Sequence, residues 1–136
     1  MTGVAPTLRP QTQPMGRVRV MVVDDSAVIR GVIVRTLSED SDIEVVASVS
    51  NGQMAVNEVK RTQIDVIILD IEMPILDGLS ALPKILEADP HVDVIMASTL
   101  TQRGAEVSLE ALKRGAVDYV PKPGVGSIGA THASYG

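Results

Sequence analysis

Val18-Arg19-Val20-Met21-Val22-Val23-Asp24-Asp25, Val66-Ile67-Ile68-Leu69-Asp70 and Ala116-Val117-Asp118-Tyr119-Val120-Pro121-Lys122 are the stretches that decide the fold. Each is a short apolar run, rich in β-branched residues, that ends at or just before a charged side chain. Runs of this kind without clean alternation read as strands covered on both faces, which implies a parallel sheet with helices above and below it. In such sheets ligands bind beyond the carboxyl ends of the strands, where the strand order reverses. Three carboxylates and one ammonium are therefore expected to meet at one edge.

Between these runs the pattern alternates strand and helix from Arg17 to Pro123, the signature of an α/β fold. The first strand reads as Arg19 to Val23, followed by a helix from about Ser26 with Ile29, Val32, Ile33 and Leu37 on one face. Glu44 to Ser48 reads as the second strand. Asn51-Gly52 turns into a second helix with Ala55, Val56 and Val59 inward. Asp65 to Leu69 is the third strand, and a third helix starts near Gly78 with Leu79, Leu82, Ile85 and Leu86 as its stripe. Pro83 lies inside it and is expected to kink or delay it. Val92 to Ala97 is the fourth strand. A fourth helix is expected from about Ala105 to Arg114 with Leu109 and Leu112 inward, stopped by Gly115. Ala116 to Val120 completes five strands.

The ends of the chain read differently. Met1 to Gly16 carries Pro6, Pro10 and Pro14 with Arg9 as its only charge and reads as a disordered leader. Gly124 to Gly136 has no Asp, Glu, Lys or Arg and reads as a flexible linker or tail. A fifth helix covering the last strand is thus absent from the pattern. The inward residues of that strand are expected to expose an apolar strip open to a partner, a second copy of the chain included.

At 136 residues the chain suits one domain that can bury its own core. It has no cysteine, so it holds neither a disulfide nor a thiol nucleophile. A formal charge of -5 argues against a surface that collects phosphodiester backbones, so no direct nucleic-acid partner is expected. No stretch is long and apolar enough to span a bilayer, and no secretory leader is apparent. The chain is expected to be soluble and cytoplasmic. With Tyr119 and Tyr135 as the only aromatics, the core must be aliphatic.

Carboxylates brought close together cannot all stay ionised cheaply, so one holds a proton or a cation joins them. Asp24, Asp25 and Asp70 offer hard oxygen ligands suited to Mg²⁺, with Mn²⁺ as the alternative. His91 and His132 are not placed by the pattern to help. Phosphoryl transfer to a carboxylate needs an Asp nucleophile, a divalent cation and further donors for the phosphoryl oxygens. Asp70 fits the first role, because it ends the central run and precedes a loop with Pro74 and Asp77-Gly78. Lys122 supplies a point charge and Ser98 a hydroxyl from neighbouring strand ends. Taken singly, each has a plainer reading: Asp as a turn former or cap, Lys122 as a solvated loop charge, Ser98 as a helix cap, Tyr119 as a packed edge residue. Their coincidence at one sheet edge favours the joint reading.

Val22-Val23-Asp24-Asp25-Ser26, Leu69-Asp70-Ile71-Glu72-Met73-Pro74-Ile75-Leu76-Asp77-Gly78, Ser98 after an apolar strand, and Val120-Pro121-Lys122-Pro123 together resemble a response-regulator receiver domain over residues 17–123. The resemblance implies a flavodoxin-like, doubly wound five-stranded parallel sheet of strand order 2-1-3-4-5. It implies that Asp70 accepts a phosphoryl group from a phosphohistidine of a sensor histidine kinase. Asp25, Asp70 and the backbone carbonyl of Glu72 would bind Mg²⁺ directly, with Asp24 acting through water. Lys122 would contact the phosphoryl group, its bond to Pro123 being cis, and Ser98 and Tyr119 would form the switch pair. Ser98-Thr99-Leu100-Thr101-Gln102-Arg103-Gly104-Ala105 and Ala111-Leu112-Lys113-Arg114-Gly115-Ala116-Val117-Asp118-Tyr119 narrow the likeness to the receiver of the chemotaxis protein-glutamate methylesterase. That implies a methylesterase output, in the same chain or as a partner. No Gly-x-Ser-x-Gly elbow occurs here, Val125-Gly126-Ser127-Ile128-Gly129 being a near miss, so this chain reads as the regulatory part alone.

Two other functions compete. A Mg²⁺-dependent phosphatase or phosphotransferase could turn over through the same aspartyl-phosphate. Such enzymes commonly use a second acid two residues after the nucleophile, where Glu72 is here read as acting through its backbone. An interaction module that has lost phosphorylation would not need all of these site residues. Gly124-Val125-Gly126-Ser127-Ile128-Gly129 matches a dinucleotide fingerprint, but only seven residues follow it, too few for the helix and acid that the fingerprint requires.

Overall fold

The structure, a computed structural model, describes residues 16–99 and 101–123. The leader other than Gly16, the tail, the glycine-rich match and His132 lie outside the described residues.

Five parallel strands run β1 (Val18–Val23), β2 (Ile43–Val49), β3 (Val66–Asp70), β4 (Asp93–Ser98) and β5 (Asp118–Pro121). They lie side by side in the order β2-β1-β3-β4-β5, the doubly wound order expected. Four helices connect them among the described residues: α1 (Ala27–Ser38), α2 (Gly52–Val59), α3 (Gly78–Ala88) and α4 (Gln102–Lys113). Each begins at a side-chain cap: the oxygens of Ser26, Asn51, Asp77 and Thr101 accept from the backbone N–H three residues on, which satisfies a donor that the helix leaves free.

The main core lies on one face of the sheet. Met21, Val23, Ile67, Leu69, Val94 and Met96 point there and meet Ala55, Val56 and Val59 of α2, Ala81, Leu82 and Ile85 of α3, and Ala111 of α4. Side chains alternate along a strand, so Val20, Val22 and Ala97 point to the other face, where they too are buried. All four residues of β5 are exposed. Val117, Tyr119 and Val120 stand among the exposed apolar residues.

Four expectations need correction. Helix α4 starts at Gln102 rather than Ala105, because Thr101 and not a later residue caps it. Its buried face is Gly104, Ser108 and Ala111, while Leu109 is 53% exposed. Small residues let this helix approach the sheet closely, so Leu109 is left facing out, while Leu112 packs against the core as expected. Ala116 is not yet strand: its N–H bonds to Ala111 O, and that of Gly115 to Leu112 O. This is a Schellman closure, with Gly115 at φ 118°, a conformation that favours glycine. Pro83 does not delay its helix, which starts at Gly78 and runs unbroken to Ala88. The residue is exposed, so the carbonyl that loses its helical donor can turn to water.

Candidate functional site

Strand register brings the site together. Val23 pairs with Leu69, so the next residues, Asp24 and Asp70, leave the sheet side by side. Asp70 pairs with Ala97 and Ser98 with Pro121, which sets Ser98 and Lys122 one step beyond. The Lys122 N–H donates to Ser98 O at 2.8 Å, extending the ladder through the lysine. Residues separated by up to 98 positions thus meet at the edge where β1 and β3 diverge, the topological switch point.

Asp24 and Asp70 are buried and Asp25 is exposed. One oxygen of each carboxylate lies within 4.8 Å of the others. Asp24 Oδ1 accepts from Ser26 N–H at 2.8 Å. Lys122 Nζ donates to Asp70 Oδ1 at 3.1 Å and lies 3.3 Å from Asp24 Oδ2, an ion-pair distance outside hydrogen-bond geometry. Asp24 Oδ2 and Asp70 Oδ2 accept no hydrogen bond although both are buried. Burial first, then the charges of Asp24 and Asp25, push the Asp70 carboxyl up to about 6 against the pull of Lys122. Burial works to lower Lys122, yet the hydrogen bond and charge of Asp70, with the charge of Asp24, outweigh it and raise its pKa.

One ammonium against three carboxylates leaves an acidic excess, and two buried oxygens lack donors. Both facts fit a hard divalent cation such as Mg²⁺ or Mn²⁺. Among the described residues this is the only cluster of potential metal ligands. Asp70, Ser98 and Lys122 open onto a cavity of about 80 Å³ that Glu72 also lines. A larger one, about 620 Å³, opens at the opposite, amino edge between Arg17, Asp65 and His91, so His91 is remote from the cluster, as expected.

Ser98 is buried, whereas Tyr119 is 41% exposed. Tyr119 pairs with Met96 and so shares a sheet face with Ser98. A cavity of about 270 Å³ lies between them, bordered by Gln102 and Ala105 of α4. Glu72 is exposed and its carboxylate pairs with Arg103 of α4, Nε to Oε2 at 3.2 Å. The Lys122–Pro123 peptide, expected cis, is trans, since no cis bond occurs among the described residues. Trans is the intrinsic preference even before proline.

Two site residues escaped the sequence reading. Arg30 of α1 donates from its guanidinium to Asp24 O at 2.7 Å, bracing the elbow after β1. The signal was available, because long helical side chains point back toward the helix start, here the Asp24-Asp25 end. Arg103 had no such signal, as its partner lies 31 positions away.

A family model described as the response regulator receiver domain matches residues 20–127. A protein-glutamate methylesterase/protein-glutamine glutaminase of Rhodospirillum centenum is 69% identical over 105 residues, 77% of this chain and 27% of that protein. This chain therefore spans little more than a quarter of that relative. The crystal structure of the response regulator domain of Thermotoga maritima CheB matches with a TM-score of 0.73 at 44% identity, over 79% of each chain. A CheX-CheY-BeF3-Mg complex from Borrelia burgdorferi matches with a TM-score of 0.74 at 25% identity, over 91% of this chain and 92% of that one.

Proposed function

Because the chain belongs to the response regulator receiver domain family, we propose that it is a phosphorylation-operated switch of a chemotaxis two-component pathway, with Asp70 as the phosphoacceptor. The observation that carries this reading is the convergence of Asp24, Asp25, Asp70 and Lys122, with two buried carboxylate oxygens left without donors. The donor is a phosphohistidine of a sensor kinase. A carboxylate oxygen of Asp70 forms the new bond to phosphorus as the nitrogen–phosphorus bond of the donor breaks.

Asp25, Asp70 and the Glu72 carbonyl would hold Mg²⁺, with Asp24 acting through water. The ion supplies positive charge for the phosphoryl oxygens. The relative from Borrelia, whose complex includes Mg and BeF3, supports that choice. Lys122 already sits on Asp70 and can pass to a phosphoryl oxygen without crossing the pocket. Ser98 supplies the hydroxyl that follows the phosphoryl group, and the cavity beside it gives the Tyr119 ring room to turn inward. Two arrangements of this face, biased by one covalent charge, make a switch.

The likeness to methylesterases points to a methylesterase as the output regulated, joined to the receiver or met as a partner, within the cytoplasm. The exposed β5 face is a place where such a partner, or a second copy, can dock.

Incubation with a small phosphodonor such as phosphoramidate and Mg²⁺ tests the reading. Stable incorporation of one phosphoryl group, lost in Asp70→Asn, is expected. Absence of label, or rapid multiple turnover of the donor, overturns it in favour of an interaction module or a phosphatase.

A further inference from the structure

Glu72 stands on a wall between two hollows. On one side is the 80 Å³ cavity that it shares with Asp70, Ser98 and Lys122. On the other is a groove that it shares with Arg103, Leu79 and Val107. Its carboxylate is turned to the second, with Oε2 held 3.2 Å from Arg103 Nε. Arg103 sits in the first turn of α4, which Thr101 caps, so the guanidinium is carried by an anchored helix end. Lys122 faces Asp24 and Asp70, and no other cation pairs with Glu72 among the described residues.

We propose that Arg103 is a positioning residue that keeps the Glu72 carboxylate out of the phosphoacceptor cavity and thereby prolongs the life of the aspartyl-phosphate. The inference rests on the function proposed above. Loss of the phosphoryl group requires a water oxygen to attack phosphorus while the bond from phosphorus to the Asp70 oxygen breaks and its electron pair returns to the carboxylate. One water proton stays on the released hydrogenphosphate and the other goes to solvent. A carboxylate beside that water accepts a hydrogen bond from it and aligns it for attack. Glu72, two residues after the acceptor and already part of the cavity wall, is placed to do so once it is free. The pair with Arg103 sends it the other way.

Both partners are well exposed, 76% and 69% by side chain, and exposed ion pairs shift an equilibrium only about two- to fivefold. The effect on lifetime is bounded accordingly.

The test follows decay of the phosphorylated full chain after removal of phosphoramidate, with Mg²⁺ present. Arg103→Ala is expected to shorten the half-life two- to fivefold. Arg103→Lys, which keeps a cation, is expected to recover part of it. In the Glu72→Gln background, Arg103→Ala is expected to change nothing, because the group it restrains is gone. Raising salt to about 1 M, where screening acts within about 3 Å, should shorten the wild-type half-life and leave Arg103→Ala unmoved. An unchanged half-life in Arg103→Ala overturns the proposal, as does an equal shortening in the Glu72→Gln background. A slower uptake of label with unchanged decay also overturns it, by placing Arg103 on the incoming donor. If the wild-type chain takes no label at all, it is the function reading that fails.

Discussion

Lys122 Nζ lies 3.1 Å from Asp70 Oδ1 and 3.3 Å from Asp24 Oδ2, so a single ammonium at the end of β5 serves two buried carboxylates from β1 and β3. Without a further cation the balance stays negative, and the protein carries that cost in its folded state.

Asp70→Asn should stabilise the metal-free fold. The carboxyl is raised to about 6 in the folded chain from an unfolded value near 4. The folded state therefore binds more protons than the unfolded state between these values. Stability is fully present below the unfolded pKa and is lost as pH rises through about 6. Urea unfolding in a chelator at pH 7 should show Asp70→Asn more stable by on the order of 2 kcal/mol. The gap should close near pH 4, and a gap that is independent of pH would contradict the assigned cause.

Lys122→Ala should act in the opposite direction. It leaves two buried carboxylates without their shared cation, at a cost of about 1–3 kcal/mol near neutral pH in the absence of metal. Because the acidic excess grows, added Mg²⁺ should raise the melting temperature of this variant more than that of the wild-type chain. Equal increments would show that Lys122 and the metal do not compensate the same charges.

Mg²⁺ itself should stabilise the wild-type chain by mass action, about 1.4 kcal/mol at ten times the dissociation constant, or several degrees for a domain of this size. Asp25 is exposed, so Asp25→Asn should leave the metal-free melting temperature almost unchanged while removing most of the Mg²⁺ increment. A metal response that survives the substitution would take Asp25 out of the ligand set.

Ile75 occupies φ 71° and is 80% exposed. A β-branched residue in the left-handed region is strained, and here little burial offsets it. Ile75→Asn should stabilise by about 1 kcal/mol in denaturant unfolding, since asparagine tolerates this region without the chain entropy that glycine adds. A loss of stability would mean that the isoleucine side chain makes a contact of greater worth.

Gly78 is required by close approach. A Cβ there would run into the Asp70 carbonyl oxygen and the Asp70–Ile71 backbone, while the Gly78 N–H donates to Ile71 O at 2.7 Å. Gly78→Ala should cost more than 2 kcal/mol and, by displacing the Asp70 backbone, lower both Mg²⁺ affinity and label uptake. Wild-type behaviour would show that the turn can relax without moving Asp70.

Much of the site was legible because parallel α/β chains put chemistry at strand ends. Asp24, Asp25, Asp70, Ser98 and Lys122 each stand at or just past the end of an apolar run, and a run's end is visible in the letters. Helix starts were legible where Ser26 and Asn51 cap them. The start of α4 is less legible, because its cap, Thr101, precedes the polar and small residues Gln102, Arg103 and Gly104 rather than an apolar stripe. Leu109 reads as inward by its spacing, yet the space there belongs to Gly104, Ser108 and Ala111. Periodicity reports which residues share a face, and packing distance decides which face is buried.

The amino-acid sequence by itself determined the order of strands and helices, the aliphatic core and the identity of the charged groups at the sheet edge, because these depend on local period and residue type. Tertiary structure alone decided register, and with it that Asp24 lies beside Asp70, that Lys122 reaches both, and that Glu72 turns to Arg103. Those pairings join positions 31 to 98 residues apart. Contacts at such separation are set by how whole strands align and how closely helices settle on them, which no local pattern encodes.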